Sequence, residues 1–331
     1  MAVSIEDIKK LRAMTGAGLA DVKKALTEAE GDFDKAKELL RERGLAIAAK
    51  RSDRETSNGC VLVKKVNDFA AIIALKCETD FVANGADFIK LTSDILDAAI
   101  AAKAHTLDEV KALKVGESDA QAAVTQRSGI TGEKMELDGY CVLEGDNIEV
   151  YDHMNKHTLC TMVQLNENNE EAGHKVAMQV AAMRPVALDE SSVSEETKKT
   201  ELEVAVAKTK EELVEKAVNA ALKKAGINPA HVDSEDHIES NTKKGWLTPE
   251  QAEEARNIKK TVGEEKAASL NPTMIQNIAN GRLAKFFKEN CLVDQEFQFG
   301  DGDKQTVAQF LAAQSKDLEI VAYKRFTLAA E

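Results

Sequence analysis

The chain has 331 residues, enough for two or three domains with a substantial core, and its 44 Lys and Arg against 57 Asp and Glu give a formal net charge of -13. That balance argues against nonspecific binding to nucleic acid or to an anionic membrane, because neutralising phosphates takes clustered Lys and Arg. Aromatic residues are only 4% of the chain, too sparse for an RNA-stacking surface. No apolar run approaches the ~18 residues of a membrane span, and "MAVSIEDIKK" lacks the basic and apolar regions of a signal peptide. Cys60, Cys77, Cys141, Cys160 and Cys291 are odd in number and show no C-x-x-C spacing, which favours a reducing cytoplasm over zinc or a disulfide framework.

Three short helices open the chain. Ser4 and Asp7 offer a capping start, Ile5, Ile8, Leu11 and Met14 fall at helical spacing, and Gly16 with Gly18 supplies a break. A second helix carries Leu19, Val22, Ala25 and Leu26. A third, opened by Asp32, carries Phe33, Ala36, Leu39 and Leu40 and is expected to stop at Gly44. The charged stretch "AIAAKRSDRETSNG" reads as a helical extension fading into a linker, so that residues 1–54 form an N-terminal bundle with its linker.

Strand patterns follow. "GCVLVKKV" and "FAAIIALKC" flank Asn67-Asp68 as a hairpin, and the helix from about Asp87 to Ala102 gathers Phe88, Leu91, Ile95, Leu96, Ala99 and Ile100 on one side. Between them stands "ETDFVANG", where an aromatic and a branched apolar residue sit beside a carboxylate before an Asn-Gly turn signal. A similar order recurs as "YCVLEGDNIEVY", "TLCTMVQL" and the helix "EAGHKVAMQVAAM", closed by Arg184-Pro185. The pattern predicts an α+β fold whose core has two similar hairpin-plus-helix halves, 55–139 and 140–191 with 271–331, and whose strand cysteines are packing residues.

Between the parts of the second half, residues 192–270 are rich in Ala, Glu and Lys with scattered Leu213, Val214, Ala217, Val218, Ala221 and Leu222. They read as an inserted helical-hairpin arm. Gly226 and Pro229 end its first helix, and Thr248-Pro249 starts the return. The arm is either a solvated helix pair or a surface for self-association into a homodimer.

The chemistry-bearing motifs are sparse. "GITGEKM" and "GDGDKQT" imitate the glycine density of a phosphate loop without its spacing. His153 with His157, or His231 with His237 amid Asp233, Glu235 and Asp236, have donors for a metal but read far more readily as hydrated loop residues, and no metal or cofactor is assigned. Cys77 could be a nucleophile with His153 or His174 as its base, although a Cys ending an apolar strand more often packs. Residue patterns alone leave an interaction protein, a ribosome- or RNA-associated binder, and a cysteine hydrolase as readings.

The run from Leu11 to Gly44 resembles the opening of the bacterial elongation factor Ts family. Thr15-Gly16-Ala17-Gly18, Asp21, Lys23-Lys24-Ala25-Leu26 and Gly31-Asp32 stand in that family's order, and Thr79-Asp80-Phe81-Val82 matches its signature after the first hairpin. "HKVAMQVAAMRP" and "NGRLAKFFKENCLVDQEF" extend the likeness. The arm is longer than usual, Tyr151-Asp152-His153 is followed by Met154-Asn155-Lys156-His157 in place of glycines, and an extra C-terminal helix of some members does not follow "YKRFTLAAE".

The resemblance implies a UBA-like N-terminal bundle and no catalytic role. It implies a cytoplasmic guanine nucleotide exchange factor that binds elongation factor Tu, with GDP or nucleotide-free, and contacts neither nucleic acid nor membrane. Thr79, Asp80, Phe81 and Val82 would form the partner-binding, magnesium-displacing segment, with Leu19, Ala20 and His153 as further contacts. Periodicity alone instead folds Phe81 and Val82 back into the core.

Overall fold

A computed structural model describes residues 3–300, 302 and 304–329. Met1, Ala2, Ala330 and Glu331 lie outside the described residues, as do Asp301 and Asp303 of "GDGDKQT". The chain forms two compact units, 1–188 with 296–331, and 189–295.

The first unit opens with α1 (Ile5–Thr15), α2 (Leu19–Glu28) and α3 (Phe33–Lys50). The Ser4 hydroxyl accepts the Asp7 N–H at 3.0 Å to cap α1, and Gly16 ends it at φ 67°. Leu11, Val22, Ala25, Leu26 and Ala36 are buried together between the three helices. The expected stop at Gly44 does not occur, since α3 runs through it to Lys50. The linker that follows is not loose, because Arg51 and Arg54 pair with Glu78 at 3.1 and 2.9 Å, and Thr56 donates to Glu136 at 2.6 Å.

The first hairpin is β1 (Asn58–Val66) and β2 (Phe69–Cys77), in register from Asn58 opposite Cys77 to Val66 opposite Phe69. Asn67 takes the positive φ, 54°, that its two-residue turn requires. The chain continues through α4 (Asp80–Ala83), α5 (Ala86–Ala102), α6 (Leu107–Ala112), the small β3 (Lys114–Val115) and β4 (Ser118–Asp119) hairpin, and α7 (Ala120–Thr131). Then β5 (Met135–Glu144) joins the free side of β2, so the sheet order is β1-β2-β5. This strand crosses position 139, where the sequence division separated the halves, because its residues from Met135 to Glu144 pair with β2.

The second hairpin is β6 (Ile148–Asp152) with β7 (Leu159–Leu165), followed by α8 (Glu170–Met183). "YCVLEGDNIEVY" is therefore shared between two sheets. The hairpin-then-helix order of β1, β2 and α5 recurs in β6, β7 and α8, within a mixed α+β fold that begins with helices.

The two sheets pack face to face through Val61, Ala70, Ile72 and Leu143 of one and Ile148, Cys160 and Met162 of the other. On the far side of the first sheet, Phe69, Ile73 and Leu75 meet Phe88, Ile95 and Ala99 of α5. Covering on both faces explains why "FAAIIALKC" is apolar from Phe69 to Leu75 rather than alternating. Full burial of one such large side chain contributes about 1.5 to 3 kcal/mol.

The second unit begins with α9 (Glu195–Lys224), capped by Ser194, and continues with α10 (Glu235–Lys243), α11 (Pro249–Ala268) and α12 (Pro272–Asn290). The expected breaks are in place, with α9 ending before Gly226 and Thr248 and Gln251 forming a capping box in front of α11. The unit is more than a solvated pair. Val218, Leu222, Ile227, Val232, Ile238 and Leu247 are buried in a core of its own. α12, grouped by sequence with the core segment 271–331, packs on α9, where Arg282 reaches Glu212 at 3.0 Å.

The last elements of the first unit are α13 (Val307–Gln314) and β8 (Ile320–Thr327), which completes the second sheet in the order β6-β7-β8. Among the described residues no helix is long and apolar enough to cross a membrane.

Candidate functional site

"ETDFVANG" becomes one tight turn of helix at the end of a buried strand. Thr79 is the N-cap of α4, its hydroxyl accepting the Val82 N–H at 3.4 Å. Asn84 closes the turn, its side chain donating to the Asp80 carbonyl at 2.8 Å, and Gly85 starts α5. Four residues of helix must divide between core and solvent. Ala83 is buried and Val82 half-buried against the core, so Asp80 and Phe81 are turned outward. Phe81 is 87% exposed, which overturns the expectation from periodicity that it folds back into the core.

Such an aromatic is solvated at a hydrophobic cost, and the backbone beneath it is tied down from three directions. The Glu133 carboxylate accepts the Thr79 N–H at 3.1 Å and the Thr79 hydroxyl at 2.6 Å. The Glu78 carboxylate accepts the Lys134 N–H at 2.6 Å and pairs with Arg51 and Arg54. Asn58 donates to the Glu78 carbonyl at 2.9 Å. The Lys134 N–H, together with the two guanidinium groups, holds the Glu78 carboxyl below its ordinary range.

Sequence reasoning missed Glu133, Lys134, Arg51 and Arg54 in this role. The available signal was "GITGEKM", whose Gly132 ends α7 at φ 72° and so delivers Glu133 and Lys134 to the turn.

Asp80 also lines a depression of about 260 Å³ shared with Asn84, Lys156, His157 and Leu328, which brings the signature turn beside the β6–β7 loop. In that loop Met154, Asn155 and His157 take φ values of 57, 55 and 55°. Left-handed backbone favours glycine, so these three residues hold it at a conformational cost. The Asp152 carboxylate offsets it by accepting the His157 N–H at 3.2 Å and pairing with Nδ1 of the same ring.

His153 is half-buried beside the Tyr151 hydroxyl, 3.2 Å from Nδ1, while the His174 ring stands edge-on to Tyr151 at 5.4 Å. Leu19 and Ala20 lie apart from these groups on the first turn of α2. Both are exposed, Leu19 by 57%.

The alternative chemistries find no support in this geometry. Cys77 is fully buried, its thiol donating to the Thr79 carbonyl at 3.2 Å, and burial with the nearby Glu133 charge pushes its pKa up to about 12. At neutral pH the reactive thiolate is then only about one part in a hundred thousand. His153 and His174, the proposed bases, are engaged around Tyr151 instead. His237 pairs with Asp233, His231 lies against the Trp246 ring at 5.6 Å, and among the described residues no three metal-ligating side chains converge.

The family described as Elongation factor TS matches residues 78–330, a span that starts at the first residue of "ETDFVANG". Proteins called Elongation factor Ts from Bacteroides fragilis and Parabacteroides distasonis are 62% and 60% identical over the whole of both chains. A third, from Azobacteroides pseudotrichonymphae, is 34% identical, again over the full length of both. The match thus runs through the helical unit as well as the sheets, and the chain belongs to the elongation factor Ts family.

Proposed function

We infer that this protein binds elongation factor Tu carrying GDP and speeds release of the nucleotide, so that GTP can replace it. The observation that carries this reading is Phe81, 87% exposed on a turn whose backbone is fixed on both sides. Nucleotide exchange makes and breaks no covalent bond. GDP held by a phosphate loop and magnesium leaves slowly because many charge-assisted contacts must part together. A partner accelerates release only by binding the nucleotide-poor conformation better, and by reciprocity the nucleotide weakens that partner's hold.

In this mechanism Phe81 inserts between elements of elongation factor Tu beside the nucleotide, and the Asp80 carboxylate opposes the phosphate-magnesium arrangement. Thr79 caps the turn and Val82 anchors it. Burying one Phe is worth about 1.5 to 3 kcal/mol, one to two powers of ten in an equilibrium. The remainder falls to a wider interface that includes Leu19, Ala20 and His153. A cytoplasmic setting and a UBA-like role for the bundle belong to the same reading.

The test is release of fluorescent GDP from elongation factor Tu of the same organism, with and without the protein. Absence of any acceleration would sink the reading. Cys77→Ser separates it from a hydrolase, because exchange is expected to survive loss of a buried thiol whose pKa is pushed up to about 12. Binding to RNA in place of elongation factor Tu would favour the ribosome-associated alternative, against which the net charge of -13 argues.

The helical unit is assigned to self-association rather than to exchange. Because α12 packs on α9, replacing 192–270 alone would strip a face of α12, and the clean excision is 189–295. With a flexible linker in its place, stimulated GDP release is expected to persist while oligomeric state by light scattering changes. Collapse of release with an intact circular dichroism spectrum of the remaining core would move the unit into the exchange interface.

A further inference from the structure

We propose that Glu78 and Glu133 form a reciprocal clasp that sets the aim of Phe81, making Glu133 a positioning residue for exchange. The proposal rests on the exchange reading above and adds a role for residues outside the Thr79 to Val82 signature.

The clasp is built from two adjacent pairs facing each other. Each pair gives a carboxylate to the other's backbone: Glu78 accepts from Lys134, and Glu133 accepts from Thr79. The Thr79 hydroxyl donates to Glu133 while accepting from Val82, so a single side chain links the clasp to the helical turn that carries Phe81. Behind it, Ser128 of α7 donates to the Glu133 carbonyl, and the Lys134 ammonium reaches the Arg54 carbonyl at 2.9 Å.

The same Glu78 receives Arg51 and Arg54 from the segment that follows α3, so the clasp joins the N-terminal bundle to the turn. A four-residue helix cannot hold its own direction, since its hydrogen bonds are too few to be cooperative. An exposed wedge on such a turn acts in a defined direction only if the surrounding structure fixes the backbone, and ordering it beforehand lowers the entropic cost of binding.

A Coulombic role for Glu133 would give a different result from a positioning role, and the variants separate them. In Glu133→Gln the amide can accept the Thr79 N–H and donate to its hydroxyl, keeping the geometry without the charge. In Glu133→Ala both contacts are lost. Exchange is measured at saturating factor in the full chain, alone and combined with Phe81→Ala, alongside the melting temperature.

Glu133→Ala is expected to slow stimulated GDP release roughly ten-fold, Glu133→Gln by less than about two-fold, and Glu133→Ala by less than about two-fold once Phe81 is already Ala. The melting temperature decrement of Glu133→Ala, in contrast, should be the same in both backgrounds. If Glu133→Ala does not tolerate the assay temperature, Thr79→Val removes the hydroxyl donor from the other side and must show the same dependence on Phe81.

Unchanged exchange in Glu133→Ala, equal losses with and without Phe81, or a Gln variant as slow as Ala would each overturn the clasp. Full activity of Phe81→Ala would remove the wedge role of Phe81 and with it the clasp, while leaving exchange itself standing; failure of the wild-type protein to accelerate release would instead remove the exchange reading. Loss with Phe81→Ala and none with Glu133→Ala overturns the clasp alone.

Discussion

Phe81→Ala is expected to slow stimulated GDP release by more than about ten-fold, as for a central aromatic anchor, while changing the protein's own stability by no more than about 0.5 kcal/mol. At 87% exposure the ring adds little to the folded state, so truncation removes contacts that exist chiefly in the complex. Phe88, seven residues on and fully buried under the first sheet, is the matched control. Its replacement by Ala should cost about 3 to 5 kcal/mol of folding stability and affect exchange only through loss of folded protein.

Asp80→Asn keeps the turn and loses the charge, and is expected to slow exchange less than Phe81→Ala. Raised magnesium should oppose the wild-type protein by favouring the nucleotide-bound partner. The comparison to make is exchange rate against thermal melting for Phe81→Ala. A fall in melting temperature with a proportionate fall in exchange would return Phe81 to a structural role and remove the wedge.

The elements that the sequence made legible are those whose patterns repeat over many residues. The apolar run from Phe69 to Leu75 announces a strand, and Asn67-Asp68 marks its turn because a two-residue hairpin needs a positive φ, which Asn67 takes. The spacing of Phe88, Ile95 and Ala99 identifies the inner face of α5 in the same way. The direction of Phe81 was not legible from pattern, because a helix of four residues is barely one turn and never repeats the period that would assign its faces. Family resemblance was needed to turn it outward.

The contacts of the clasp were hidden for another reason. Thr79 and Glu133 are brought together by the packing of α7 and β5, and nothing local to either residue records the other. The same holds for α12. Its sequence suits any amphipathic helix, and only its packing on α9 assigns it to the helical unit. Gly44 was misread because a glycine at a plausible helix end has two explanations, a left-handed cap or a close helix crossing. Local sequence cannot choose between them.

That crossing gives the second large effect. A Cβ added to Gly129 of α7 would lie 2.1 Å from the Gly44 Cα and 3.0 Å from its carbonyl carbon, so backbone would meet backbone. Glycine to alanine inside a helix ordinarily stabilises by roughly 0.5 to 1 kcal/mol. Here the gain is overridden, because no rotamer change can relieve the overlap and α3 must move off α7. Overpacking of this kind costs about 1 to 3 kcal/mol, and Gly129→Ala is expected to melt below the wild type.

Gly44→Ala probes the same crossing from the other side with the opposite expectation. Its Cβ would stand 3.5 Å from the Gly129 Cα, an ordinary contact, so helix propensity decides and the melting temperature should hold or rise. Because α3 leads directly to Arg51 and Arg54, whose guanidinium groups hold Glu78, displacing α3 at Gly129 should also loosen the turn that carries Phe81. Gly129→Ala is therefore expected to lose exchange at temperatures where it remains fully folded, and Gly44→Ala is not. If the two variants melt together at or above the wild-type temperature, the crossing is not tight, and the mechanical link from the bundle to the wedge fails with it.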